Sequence, residues 1–212
     1  MNKILSGSIF LMLLFAWLSS IMLGLSWDEY FHHINGLVRY NFLTSLGEIQ
    51  KYEFRNNKFY PGLYDTISYA LTQIVFFIDK KFYINNIDVL MHIVNVSFSS
   101  LSILGLYLLT KILFNKRIAL ITCLLTLLNP FFFGHMSINS KDIIIFFSFI
   151  WFSYYFYRYC VESEKTFKNL ILSSFFIGFG CGVRLTFLVV IFPVVIIGFY
   201  YLIRRFRSDY FY

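Results

Sequence analysis

Charge is what this sequence has little of. Only 14% of its 212 residues are Asp, Glu, Lys or Arg, against about 25% in an ordinary soluble domain. Such a sparse set cannot solvate a chain of this size in water, so lipid is the expected solvent. Proline occurs three times and glycine 11 times, which leaves little room for long flexible linkers. Cysteine is equally scarce. Cys123, Cys160 and Cys181 are odd in number, scattered and without metal-ligand spacing, which argues against a disulfide framework and a zinc site. They read as small apolar residues.

What remains is apolar. Hydrophobic residues make up 58% of the chain and the mean hydropathy is +0.69. The 28 Phe residues accompany abundant Ile, Asn and Lys, so they read as compositional bias rather than as a cofactor box. A net charge of +7 would suggest a nucleic-acid partner in a soluble protein. Here the cations sit in short loops between apolar runs, as the positive-inside rule requires. Membrane orientation explains them, and no nucleic-acid partner is expected.

The apolar runs predict an all-α, polytopic membrane protein with about six transmembrane helices, over residues 1–25, 89–109, 118–133, 143–159, 169–182 and 185–203. The first run is uncharged from Ile4 to Leu25, longer than the roughly 7–15 residues of a signal-peptide core and near the roughly 20 needed to span. It is therefore read as uncleaved, with a cytoplasmic N-terminus. Residues 26–88 form an external, partly embedded juxtamembrane loop with helical pieces. Within it Phe31, Ile34, Leu37, Val38, Phe42 and Leu46 recur at mostly helical spacing, predicting an amphipathic helix on the membrane surface. Residues 61–78 are interrupted by Asp65, Thr66, Ser68, Thr72 and Gln73. A crossing there would put the later basic loops on the wrong side, so this segment is assigned to the outside. No repeat stands out, and residues 1–212 read as one transmembrane domain. Asn95-Val96-Ser97 matches a glycosylation sequon but lies inside a span and is discounted.

This topology brings three polar groups to the external face: Asp28-Glu29 with His32 and His33; Tyr60 through Asp65; and Gly134 through Asp142, which contains His135, Lys141 and Asp142. Arg184 joins them from the loop between the last two spans. Ionisable groups at a membrane edge are either interface anchors or functional. A carboxylate can take the proton of an incoming hydroxyl, and Lys141 or Arg184 can stabilise charge on a departing phosphate. Sugar transfer from a polyprenyl-phosphate donor to a hydroxyl uses both, with the lipid-embedded donor presenting its reactive carbon at this depth. Adjacent His32 and His33 project differently on a helix and show no wider ligand pattern, so they read as surface or headgroup-contact residues and no metal site is assigned.

A first helix ending in Asp-Glu, a Tyr-Pro-Gly segment, and an Asn-Pro…Gly-His…Lys-Asp loop before an aromatic helix together resemble the GT-C superfamily of membrane glycosyltransferases. The likeness is to the branch of the dolichyl-phosphate-mannose protein mannosyltransferases and aminoarabinose transferases, and it runs along the whole chain in the order of that family's N-terminal module. The resemblance implies that the chain is the N-terminal part of a larger fold. It implies Asp28, with Glu29 beside it, as catalytic base or acceptor-binding group, and Asp142 as the acid opening the fourth helix. The Gly178-to-Arg184 segment is similar to positions near the lipid phosphate. Lys141, Arg184, His135, Asp65 and Tyr60 are the candidate substrate-binding residues. The expected partners are membrane lipid, a polyprenyl-phosphate-linked sugar, and a protein, lipid or glycan acceptor. No cofactor is assigned, with a divalent cation left open. The expected location is the cell's inner (plasma) membrane. The rival reading is a non-catalytic membrane protein: a lipid-linked-sugar binder, a flippase or assembly subunit, or a truncated inactive remnant.

Overall fold

The computed structural model describes residues 1–48, 61–161 and 167–210. All regular structure among these residues is helical, in ten helices: α1 (Asn2–Met22), α2 (Glu29–Thr44), α3 (Leu63–Ile78), α4 (Lys80–Asn85), α5 (Ile87–Leu113), α6 (Lys116–Leu128), α7 (Pro130–His135), α8 (Asp142–Val161), α9 (Phe167–Cys181) and α10 (Phe187–Tyr210). Four are long and apolar enough to cross a bilayer: α1, α5, α8 and the Phe187–Arg204 part of α10. The third predicted span, 118–133, is not one helix. Asn129 ends α6 and caps α7, its Oδ1 accepting from the Phe131 and Phe132 amides at 2.9 and 3.3 Å. Pro130 takes the first position of α7, where a missing N–H is harmless. α9 is likewise an apolar helix shorter than a full span.

α5 is the centre of the bundle. It packs against α1, α3, α6 and α8, and α8 carries α9 and α10 on its far side. The outer helices show the lipid signature. In α1 only Ala16 and Ser20 are buried, and Phe10, Phe15 and Val189 all face outward. With lipid as solvent the hydrophobic effect does not drive helices together, so close packing and interhelical hydrogen bonds must. Those bonds are present. Trp17 Nε1 donates to Ser100 Oγ at 3.1 Å, joining α1 to α5, and Trp151 Nε1 donates to the Leu101 carbonyl at 3.2 Å, joining α8 to α5. Asn95 of the discounted sequon is fully buried in the same role. It donates to the Ser137 carbonyl at 2.7 Å and accepts from the Tyr64 hydroxyl.

α2 forms where the periodicity places it, but the face it buries is polar: Glu29, His32, Asn35 and Gly36. Phe31, Leu43 and Leu46 are left exposed. A helix in contact with lipid has this sense, with apolar side chains outward and polar ones toward the protein. Gly36 marks the closest approach of α2 to α3. A methyl group there would collide with the Asp65 carbonyl oxygen and crowd Tyr69 Cβ at 2.9 Å. Gly36→Ala is therefore expected to lower stability by about 1–3 kcal/mol, as overpacking does. Thermal unfolding in detergent checks this, and an unchanged midpoint would show that the contact yields freely.

Candidate functional site

The site is built at the helix ends around the α1–α2 corner. Successive residues on a helix point about 100° apart, and Asp28 and Glu29 diverge accordingly. The Glu29 carboxylate turns inward and is 0% exposed. Its Oε2 accepts from the Ser26 amide at 2.6 Å, and its Oε1 lies 2.9 Å from His92 Nε2 on α5. His92 is as fully buried, and its Nδ1 donates to the Ser20 carbonyl at 3.0 Å. One acid thus ties the end of α1, the corner and the start of α2 to α5. Asp28 turns outward, its side chain 66% exposed and its Oδ2 3.7 Å from Lys141 Nζ.

Lys141 ends the loop before α8 and Asp142 opens α8; α5 holds that loop from behind. Besides the Asn95 bond, Ser99 Oγ donates to the Met136 carbonyl at 2.7 Å. Asn139 then shapes the loop's end. Its Oδ1 accepts from the Lys141 and Asp142 amides at 3.0 and 2.8 Å. Its Nδ2 lies 3.0 Å from Asp142 Oδ2 and 3.2 Å from His135 Nδ1, so His135 accepts at Nδ1 and carries its ring proton on Nε2. Asp142 Oδ1 stands 3.2 Å from an Arg184 guanidinium nitrogen. The α9–α10 loop that bears Arg184 is tied to α3, the Leu63 amide donating to the Gly182 carbonyl at 3.1 Å.

Asp28, His135, Lys141, Asp142 and Arg184 line one cleft of about 320 Å³ together with His32. Both ion pairs there are partly exposed, and such pairs contribute about 0–1 kcal/mol. The buried bonds behind the loops fix the geometry, so the charges are free to exchange partners with a ligand. The cleft can hold an anion against Lys141 and Arg184 and offers the exposed Asp28 carboxylate to a hydroxyl proton.

A second cleft, of about 310 Å³, adjoins it and shares His32, Ser140, Lys141 and Arg184. Phe31, Tyr64, Val183 and Asp65 also line it. Asp65 is buried, its Oδ1 3.0 Å from His32 Nδ1, and its Oδ2 accepts from Asn35 Nδ2. Asn35 Oδ1 in turn accepts from Arg39 Nε at 3.0 Å.

Of the candidate residues, Asp28, Asp142, Lys141, Arg184 and His135 come together in the first cleft, and Asp65 lines the second. Tyr60 lies outside the described residues. Glu29 lines neither cleft, because its carboxylate is engaged at the back of the corner. His32 is not the surface residue the sequence suggests, being 7% exposed and held by Asp65. His33 lies between α2 and α3, its ring 5.2 Å from that of Tyr69, and desolvation by burial lowers its pKa. Among the described residues no three His, Cys, Asp or Glu side chains are grouped to hold a metal ion. Sequence reasoning missed the His32–Asp65–Asn35 chain and the Glu29–His92 pair. A histidine inside a span needs a polar partner, and that was the available signal for the second.

A family model for dolichyl-phosphate-mannose-protein mannosyltransferase matches residues 74–212. The match takes in His92, the loop before α8 and Arg184, whereas Asp28 and Glu29 precede it. No curated protein and no solved structure matches the chain. The family match covers well over half of the sequence, and the chain belongs to the dolichyl-phosphate-mannose-protein mannosyltransferase family of membrane glycosyltransferases.

Proposed function

We propose that this protein transfers a sugar from a polyprenyl-phosphate donor to a hydroxyl of a protein, lipid or glycan acceptor, at the external face of the cell's inner membrane. The observation that carries the reading is the convergence of Asp28, Lys141, Asp142 and Arg184, from three separate chain segments, on one cleft. Asp28 takes the proton of the acceptor hydroxyl as its oxygen bonds to the anomeric carbon. The bond from that carbon to the phosphate oxygen breaks, and the electron pair leaves with the phosphate. Lys141 and Arg184 stabilise the charge that develops there. Attack from the side opposite the leaving group inverts the anomeric centre. Asp142 orients Arg184, and Glu29 positions the corner that carries Asp28. His135 faces the sugar.

The test is transfer from a polyprenyl phosphate carrying a radiolabelled sugar, with the protein in lipid nanodiscs and membrane extract as the acceptor source. Label reaching the acceptor with equimolar release of polyprenyl phosphate supports the reading. Donor that binds but is never consumed sinks it and favours a non-catalytic lipid-sugar binder. Within the same assay, Arg184→Gln is expected to raise the donor KM by about tenfold, the loss of one charge-assisted hydrogen bond. An unchanged KM would remove Arg184 from the donor site.

A further inference from the structure

His32 belongs to no role described so far. Asp65 accepts at Oδ1 from His32 and at Oδ2 from Asn35. A carboxylate so engaged fixes the proton on His32 Nδ1 and directs the chemistry of the ring to Nε2. That Nε2 atom is buried without a partner among the described residues, on a residue that lines both clefts. A buried ring nitrogen left unpaired is costly, and polar groups in this position are rarely idle.

The charges around it indicate what it takes. In the first cleft Asp28 and Asp142 balance Lys141 and Arg184. The second cleft shares those two cations and adds Asp65, whose two oxygens are already engaged by His32 and Asn35. Phe31, Pro61, Tyr64 and Val183 give it an apolar surface, with Asn35 and Ser140 its remaining polar members. Two cations and an unpartnered ring nitrogen beside that apolar surface match an anionic head on a hydrocarbon tail.

Resting on the proposed donor class, we infer that the lipid phosphate sits where the two clefts meet, and that His32 binds it as the imidazolium, with Nδ1–H on Asp65 and Nε2–H donating to one of the phosphate oxygens. Asp65 and Asn35 act as positioning residues that hold the ring and support its charge. The tail runs along the second cleft and the sugar enters the first, toward Asp28. Lys141 and Arg184, which line both clefts with His32, supply charge, and Ser140 completes the junction. This assigns the Asp65 carboxylate to the histidine rather than to the substrate.

The experiment is equilibrium binding of polyprenyl monophosphate to the detergent-solubilised protein, with polyprenol and inorganic phosphate as parallel probes. His32→Asn keeps a donor to Asp65 but removes Nε2, and it is expected to weaken polyprenyl monophosphate binding by about tenfold, the worth of one charge-assisted hydrogen bond. His32→Gln, which restores an N–H near the Nε2 position, is expected to recover most of that loss. Polyprenol affinity stays the same in all three proteins. Inorganic phosphate binding as tightly as the lipid would overturn the tail's placement. Equal polyprenyl monophosphate affinity in His32→Asn and the parent would mean that Nε2 merely holds a water, overturning the inference while the transfer reaction stands. A parent protein that binds no polyprenyl monophosphate removes both. One measurement needs no variant: with 15N-labelled histidine, the lipid phosphate moves an imidazole Nε2 resonance of the parent protein and polyprenol does not. No moving resonance counts against the contact even if the variants fail to fold.

Discussion

Asp28→Asn abolishes sugar transfer, by about a thousandfold, within the roughly 10²–10⁴ that a positioned general base contributes. The substitution keeps the shape of the side chain and removes its ability to take a proton. The side chain is 66% exposed and its ion-pair contact is Lys141 at 3.7 Å, so stability should move by less than about 1 kcal/mol. Loss of turnover with unchanged insertion and an unchanged thermal midpoint is the expected result. Asp142→Asn is the useful contrast, because Asp142 contacts Arg184 and Asn139 and its loss loosens the donor side without removing the base. Retained turnover in Asp28→Asn, measured with the radiolabelled donor, would end the assignment of Asp28 as base.

The second large effect falls on folding. Glu29→Ala leaves His92 buried and facing an empty site, while the Ser26 amide loses its acceptor. Removing one member of a buried pair destabilises by about 3–5 kcal/mol, a large part of the roughly 5–15 kcal/mol that holds a domain folded. The expected outcome is a sharp fall in the protease-resistant, membrane-inserted fraction. His92→Leu should do the same from the other side. The double variant Glu29→Leu with His92→Leu should regain much of the loss, since an apolar pair needs no partner. Single variants as stable as the parent would show that the pair holds nothing.

The membrane architecture was legible because long uncharged runs have one physical reading. Asp28, Asp142 and Arg184 could be grouped by topology alone, since each lies where an apolar run meets a polar loop. What could not be read was which polar residues turn inward. On α2 the apolar positions mark the helix, but in an apolar solvent they do not mark its buried face, and Glu29, His32 and Asn35 fill that face instead. Adjacent acids looked like a pair, yet 100° of helical rotation sends one to the cleft and the other to α5. The third apolar run reads as continuous because hydropathy does not register that Asn129 and Pro130 stop one helix and start the next.

The Glu29–His92 contact also sets an order of assembly during synthesis. Glu29 emerges from the ribosome before α5 exists, and a carboxylate alone in the hydrocarbon costs about 3 kcal/mol or more. It must wait in water or headgroups until His92 arrives on α5 and draws it in. The α1–α2 corner therefore locks only after α5 has been threaded into the bilayer. A nascent chain halted earlier exposes an acidic, unlatched corner, which membrane quality control could recognise as unfinished.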